Sequence, residues 1–399
     1  MSLLTEDTTA GGGPADPGPV SAPHRSRAER PTSYRVADFP VPTGREEEWR
    51  FTPLNRLADL FTDRPPGAHL ARGTDLPAGA DLSELDPAQV RALDLPAPGD
   101  RAAAVTLARS GGALRLDLGE EARPDAPIRV RLTGTGPGTT HDHLVITAGR
   151  FSRGTVILDH DGSGEHSELV SVHAADGAEL TVVTVQEWAG DAVHLSQQDL
   201  IIGRDARIRH VAVTFGGALV RVSTNVRHSG PGGSFEGFGV YFADPGQHLE
   251  HRLFVDHAVP HCTSRVEYRG ALQGETARTV WVGDVLIRAD AEATDTYELN
   301  RNLVLTDGAR ADSVPNLEIE TGEIVGAGHA SATGRFDDEQ MFYLQARGIP
   351  AEEARRLVVR GFFAGLITRI GVPDLQDRLL AGLDAELASV PGTVGGTDA

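Results

Sequence analysis

The feature that most constrains this chain is the stretch from about residue 127 to 335, where short alternating runs follow one another with no helical pattern between them. Clear examples are His143–Ile146, Gly154–Leu158, Glu179–Val185, Arg207–Val213, Phe235–Phe242, Arg278–Ile287 and Tyr297–Leu305. Alternation at period two puts successive side chains on opposite faces, so these runs read as strands with one face turned inward. A sandwich, a closed barrel and a solenoid all fit that description. The turns between the runs decide among them. Asp176-Gly177-Ala178, Asp205-Ala206 and Asp307-Gly308-Ala309 are variants of one corner, and small residues recur at corners when coils stack on one another. Stacked coils are the expectation, with a period that is not strict.

The flanks have a different texture. Residues 1–32 are rich in Gly, Pro, Ala and charge and read as a disordered tail. Residues 33–126 read as a mixed α/β region. Short helical pieces are expected around Trp49, Leu54, Leu57 and Leu60, broken at Pro53, and a strand at Ala113–Leu118. Residues 336–390 read as a helical domain. Asp337-Asp338-Glu339 suits a helix start, Gly348 a helix end and Pro350 the opening of a second helix. The second helix carries a predicted stripe of Ala354, Leu357, Val358, Gly361, Phe362, Gly365, Leu366 and Ile370; a third follows Pro373. Residues 391–399 read as a flexible tail.

Composition excludes several chemistries. All 37 basic residues among the 399 are arginine, so the usual phosphate loop with its lysine, Schiff-base catalysis and pyridoxal phosphate attachment are absent. The net charge of −20 opposes binding to a phosphate backbone, so no nucleic-acid partner is expected. No apolar run approaches the ~20 residues of a membrane helix. The first residues show no secretory pattern, and the single cysteine, Cys262, fits a reducing compartment; a cytoplasmic location is the expectation.

Candidate chemistry is sparse. There is no nucleophile elbow with a following acid and histidine. Gly134-Thr135-Gly136-Pro137-Gly138 is glycine-rich, but Pro137 removes an N–H and no long helix follows. The densest group of ligand types is His248, Glu250, His251, Asp256, His257, His261 and Cys262. Alternation puts His248 and Glu250 on one face and His251 on the other, so polar strand residues are the simpler reading. His141-Asp142-His143 reads the same way. His329 differs, standing in a run of small residues, Val325 to Gly334, that lets another backbone approach closely.

Longer stretches resemble a known family. Pro315-Asn316-Leu317-Glu318-Ile319-Glu320, Gly328-His329-Ala330-Ser331-Ala332-Thr333-Gly334 and Asp338-Glu339-Gln340-Met341-Phe342-Tyr343-Leu344-Gln345-Ala346-Arg347-Gly348-Ile349 resemble the SufB/SufD family, the paired scaffold subunits of the SUF iron–sulfur cluster assembly machinery. Arg45 to Leu54, Asp256 to Ser264, Thr294 to Leu303 and Gly361-Phe362-Phe363 extend the likeness, which covers about residues 34–385. With one cysteine the chain is more similar to the SufD branch. The resemblance implies a mainly β fold: a right-handed parallel β-helix core over 127–335, a small N-terminal mixed region and a C-terminal α-helical domain. It implies a non-enzymatic scaffold role. SufB is the expected partner through the β-helix and the SufC ATPase through the C-terminal helices, around Arg360, Phe362 and Phe363. No cofactor is expected on the chain alone. An iron–sulfur cluster or iron would be shared with SufB, with His329 and Cys262 as this chain's candidate ligands. Many relatives carry Cys-Ser directly before the matching histidine; here Ala327 and Gly328 stand there, so that loop offers no thiol. Two other readings are a β-helix enzyme acting on polysaccharide, and a chain that pairs only with its own copy.

Overall fold

The computed structural model describes residues 29–335 and 338–389. The tails expected at 1–32 and 391–399 lie outside them apart from 29–32, as does Asp337. The body is a parallel β-solenoid of about 8 turns. Its first strands are β1 (Leu70–Asp75), β2 (Ala80–Leu85), β3 (Ala113–Leu118), β4 (Ile128–Ala148) and β5 (Arg153–Ala174). β1 and β2 are antiparallel additions on β4 and β3; from β3 to β4 onward every pairing is parallel.

β4 and β5 are long because each turns a corner and continues on the second face. Gly134-Thr135-Gly136-Pro137-Gly138 is the β4 corner, where the register shifts between Thr135 and Thr139. Gly162 and Gly164 form the β5 corner at φ 85° and 121°, a backbone region closed to side chains. Beyond the corner the two faces grow separately. One carries β6 (Glu179–Trp188), β8 (Arg207–Thr214), β10 (Ser234–Ala243), β12 (Thr263–Leu272), β14 (Asp295–Val304) and β16 (Gly326–Arg335). The other carries β7 (Val193–Ile202), β9 (Leu219–His228), β11 (His248–His257), β13 (Arg278–Ile287) and β15 (Arg310–Ile319). The loose period has a plain form: Val193 pairs with Leu219, 26 residues on, and Thr263 with Asp295, 32 residues on. Extra residues leave at the corners without disturbing the ladder.

Three apolar clusters hold the molecule together. The lumen is filled by residues such as Leu132, Val156, Val182, Ile208, Phe235, Tyr268 and Trp281. The outer side of the β6–β14 face buries Val183, Val211, Phe238 and Val240 against helices α4 (Ala351–Ile367) and α5 (Pro373–Ser389). The outer side of the β7–β9 face buries Val193, Leu195 and Leu219 under Trp49, Leu57, Leu60 and Phe61. Covered on both sides, these strands lose the polar half of their alternation. A buried ionic group ties the N-terminal segment down: Glu250 accepts from Thr52 at 2.7 Å and pairs with Arg221 at 3.3 Å and Arg252 at 3.2 Å, while Arg221 lies 3.9 Å over the Trp49 ring.

Several expectations change. Within the mixed region 33–126 the expected strand at Ala113–Leu118 is present as β3, and β1, β2 and helices α1 (Pro87–Arg91) and α2 (Arg101–Arg109) are added to it, with capping Asp86 and Asp100 the signals that mark the helices. The small-residue run around His329 is not a loop but strand β16; pairing with β14 overrides the weak strand propensity of Gly and Ala. Helix α3 spans Asp338–Gln345, and Gly348 follows at φ 85°. Pro350 precedes α4 as its cap rather than opening it. The stripe of α4 is rotated: Ala354, Val359, Phe363, Leu366 and Ile367 are buried, whereas Leu357 is exposed.

Several imidazoles are buried and neutral. Desolvation pushes His143, His210 and His228 down from 6.5 to about 4. Below their ordinary value the unfolded chain takes up protons that these folded sites refuse. Stability from these groups is therefore intact above pH 6.5 and is lost as pH falls towards 4. Denaturant unfolding is expected to show a loss of a few kcal/mol, on the order of 2 for each such histidine, across that window. His210→Gln, which keeps a partner for Gln198 Oε1 (now 2.6 Å from His210 Nε2), should flatten the slope. An unchanged slope would show that His210 is not held neutral.

Candidate functional site

The solenoid ends at β15 and β16, the terminal strands of the two faces. An inward side chain there has a neighbour on one side only. Glu298, Asn300 and Asn302 alternate inward on β14 and are buried. Their partners in register on β16 are His329, Ser331 and Thr333, all exposed because no further coil covers them.

A chain of hydrogen bonds closes most of this end. Tyr241 donates to Asn302 Oδ1 at 2.7 Å, Asn300 Nδ2 to Tyr241 at 2.9 Å and Asn302 Nδ2 to Asn300 Oδ1 at 2.7 Å. Ser313 donates to Asn300 Oδ1 at 2.8 Å, and Ser331 to Ser313 at 2.9 Å. Satisfied amides and hydroxyls fix the last coil without needing an apolar cap.

Glu298 stands outside this chain. Both its carboxylate oxygens are buried without a hydrogen-bond partner among the described residues. Burial, with the charge of Asp284 added, pushes it from 4.5 up to about 8, so it is a neutral acid at pH 7. Directly next to it in the ladder is His329, an exposed imidazole and a good ligand type for iron, flanked by Ala327, Gly328, Ala330 and Ala332. Gly328 lies against the Tyr297 ring, where an added Cβ would be 3.3 Å away. The result is a flat, open strand edge with one imidazole at its centre and a protonatable acid beneath.

Cys262 does not join His329. It lies in the corner before β12, wholly buried, with Sγ near the carbonyls of Pro260 and Gly230 at 3.5 and 3.6 Å. Two strand spacings and four residues separate it from His329, roughly 16 Å along the sheet. Burial raises its thiol above the ordinary value, which disfavours the thiolate a metal needs. The expectation of Cys262 as a ligand is thus corrected: its place is structural.

The dense histidine stretch is dispersed. His248 and Glu250 do share a face, 3.2 Å apart, within the buried ionic group. His251 stacks on Tyr241 in the lumen, His257 stacks on His228, and His261 occupies a corner at φ 62°. His141, Asp142 and His143 each have a different partner: Thr106, Arg72 and Ser171. On α4, Phe363 is wholly buried against the solenoid, so it cannot present itself to a partner. Phe362 is half-buried beside Arg269, and Arg360 is paired with Asp384 at 2.5 Å. Among the described residues, the large exposed apolar side chains of this domain are Phe342, Tyr343 and Leu357. The sequence reading also missed Glu298 and the buried group of His160, His166, Glu168 and His194. Glu298 has no local signal, since its neighbours come from adjacent coils, and the lumen group is gathered by the β5 corner together with His194 from β7.

The last coil and the first part of α4 fall within residues 130–362, which match the family model described as SUF system FeS cluster assembly, SufBD core domain. The chain belongs to the SufB/SufD family of iron–sulfur cluster assembly proteins. It is 50% identical over 367 residues to an iron–sulfur cluster assembly SufBD family protein of Mycobacterium leprae, covering 89% of this chain and 93% of the relative. A SufBD family protein of Mycobacterium tuberculosis is 48% identical over 377 residues, 92% and 95% of the two chains. The iron–sulfur cluster assembly protein SufD of Escherichia coli is 24% identical over 389 residues, 87% and 89%. SufBD membership takes the place of the polysaccharide-enzyme alternative. No described helix is long and apolar enough to cross a membrane.

Glu298 gives a direct test of the site's electrostatics. The folded chain keeps a proton there that the unfolded chain releases above about 4.5, so stability falls as pH rises from there through about 8. Glu298→Gln is expected to stabilise the protein by on the order of 2 kcal/mol more at pH 8.5 than at pH 5, read by denaturant unfolding. Equal effects at both pH values would mean an ionised Glu298.

Proposed function

We propose that this chain is a SufD-type scaffold subunit that catalyses no reaction itself, pairs with SufB through the open end of its solenoid, and contributes His329 to a shared site where an iron–sulfur cluster or its iron is held in transit. The observation that carries this reading is the unfinished last coil. β15 and β16 leave ladder N–H and C=O groups without a strand beyond them. A partner with coils of the same kind extends both faces at once, which is strand addition in its strongest form. Clusters take about four protein ligands, and one imidazole cannot hold one. The remaining ligands, thiolates above all, come from the partner.

The C-terminal helices fit the second contact. α4 and α5 are fixed to the solenoid by Phe363, Leu366, Leu379 and Leu383, while Phe342, at 73% exposure, Tyr343 and Leu357 face outward. We assign this aromatic face to SufC in place of Phe363. Nucleotide chemistry then belongs to SufC, in keeping with a chain that has no lysine. We place this division of work in the cytoplasm.

Co-expression of the tagged chain with SufB and SufC from the same genome, then affinity purification and native mass measurement, tests the pairing. A stable complex of all three supports it; a chain recovered alone or only as its own dimer refutes it. In that complex His329→Ala is expected to leave assembly intact and lower cluster yield at least tenfold, read by iron and sulfide content; an unchanged yield removes His329 from the site. Phe342→Glu with Tyr343→Glu is expected to lose SufC but keep SufB. Retention of SufC moves that contact elsewhere.

A further inference from the structure

The N-terminal region does not pack flush against the outer side of the sheet everywhere. Over β4, β5 and β7 it leaves a cavity of about 120 Å³. The floor is sheet: His143, Leu169, Ser171, Gln197 and Asp199, all buried. The walls are apolar, with Val90 of α1, Leu107 of α2 and the Leu95-Pro96 segment between the helices. Tyr34 donates to the Leu95 carbonyl at 2.9 Å and closes one side. On another side the cavity meets a wider polar groove of about 590 Å³, and Gln197 and Asp199 line both.

Asp199 is a buried carboxylate held by neutral groups. Gln197 Nε2 donates to Oδ2 at 2.7 Å and Asn225 Nδ2 to Oδ1 at 2.8 Å, and each oxygen keeps a further lone pair. Among the described residues no arginine or histidine pairs with it. Desolvation pushes it from 3.8 up to about 6, and the charge of Asp100 adds to the shift. At pH 7 it is still an anion, and buried charges are ordinarily matched by an opposite one. Its neighbour in the ladder is Ser171, on the same outer side. Ser171 Oγ is 3.1 Å from His143 Nε2, while His143 Nδ1 is buried without a hydrogen-bond partner among the described residues. Whichever way that bond runs, the pair keeps one acceptor, Ser171 Oγ or His143 Nδ1. His143 is neutral and adds no positive charge. Arg91, at the rim, is exposed and screened by water.

We propose that this cavity binds a small free organic ammonium ion, its charged end on Asp199 and the Ser171–His143 pair and a short apolar body against Leu95, Leu107 and Leu169. An apolar cavity with a few convergent polar groups is the usual form of a small-molecule site. The carboxylate selects a cation, and the ammonium N–H groups match acceptors that the protein leaves open. Volume sets the size. An apolar cavity of about 150 Å³ takes up benzene, so one of about 120 Å³ suits a body of about four carbons. The chain has no lysine, so no lysine side chain of a second copy can fill the site. The cavity lies under the N-terminal region, not at the open last coil, and does not depend on pairing with SufB.

Ethyl-, butyl- and hexylammonium chloride and butan-1-ol are the probes, titrated against the full-length chain at about pH 7.5 and read by ligand-observed NMR. Affinity is expected to rise about fourfold per methylene from ethyl to butyl, to reach a sub-millimolar Kd, and to gain less than about twofold from butyl to hexyl. Butan-1-ol has the same length without the charge and should bind at least tenfold more weakly. Asp199→Asn should bring butylammonium down to the level of the alcohol. Ala108→Trp, at an exposed α2 position beside the cavity, should weaken both at least tenfold, and His329→Ala should change neither. Equal affinity for butylammonium and butan-1-ol, no binding of any of the ions, or unchanged binding in Ala108→Trp overturns the site. Nα-acetyl-lysine amide binding as tightly as butylammonium would make the ligand a protein side chain and overturn the free ion. Should Asp199→Asn fail to fold, the comparison of ion with alcohol on the parent chain still decides.

Discussion

Everything in this molecule follows from the parallel ladder that stacks one coil on the next. An inward side chain sees the residue in the same column above, the one below and the opposite face, and nothing else. Apolar columns solve this by close packing, as at Leu180, Ile208 and Phe235. Polar columns are best satisfied along the column, since an unpaired buried donor or acceptor costs about 1–3 kcal/mol. Asn300 and Asn302 with Tyr241 meet that demand through each other. Glu298 is not satisfied in this way, and it stands at the open last coil, where a partner's coil completes the column.

The same geometry explains what was legible in the sequence. Alternation with recurring corners is a property of single strands and turns, so the solenoid could be read from runs such as Arg278–Ile287. Helices with proline and glycine punctuation, such as α4 and α5, were legible for the same reason. The face of a helix is a tertiary property. Phe362 and Phe363 are adjacent, and only the packing of α4 on Val211 and Phe238 puts Phe363 inside. Strand β16 was obscured because glycine and alanine carry little strand preference; its conformation comes from β14. His329 was found through family likeness to a contiguous stretch. Glu298, 31 residues earlier, becomes its neighbour only through the length of that coil. The lumen group of His160, His166, Glu168 and His194 depends on the β5 corner folding two arms of one strand onto each other.

The two lateral coverings restrict where a partner can join. The N-terminal segment seals the first part of one face through Trp49 and Phe61, anchored by the Glu250 ionic group. The C-terminal helices seal the other through Phe363 and Leu379. Removing both arginines from the Glu250 group would strand a buried charge, a cost of roughly 3–5 kcal/mol, so that cover is not a surface that opens easily. Neither outer face offers a ladder edge. The last coil does, and it is where His329 stands.

That placement sets the chemistry an incoming chain must bring. A second copy would bring another His329 and another Glu298, and a Cys262 buried in a corner as in the first. Such a pair has imidazole and carboxyl donors but no accessible thiolate, which suits a bare divalent ion better than a sulfide-bridged cluster. A partner with an exposed cysteine at the corresponding edge supplies the missing soft ligand across the same strand pairing. Glu298, uncharged at neutral pH, adds no negative charge to that interface until a cation or a rise in pH ionises it. The unpaired strands and the lone imidazole therefore make the same demand: a coil of the same shape and a different ligand set.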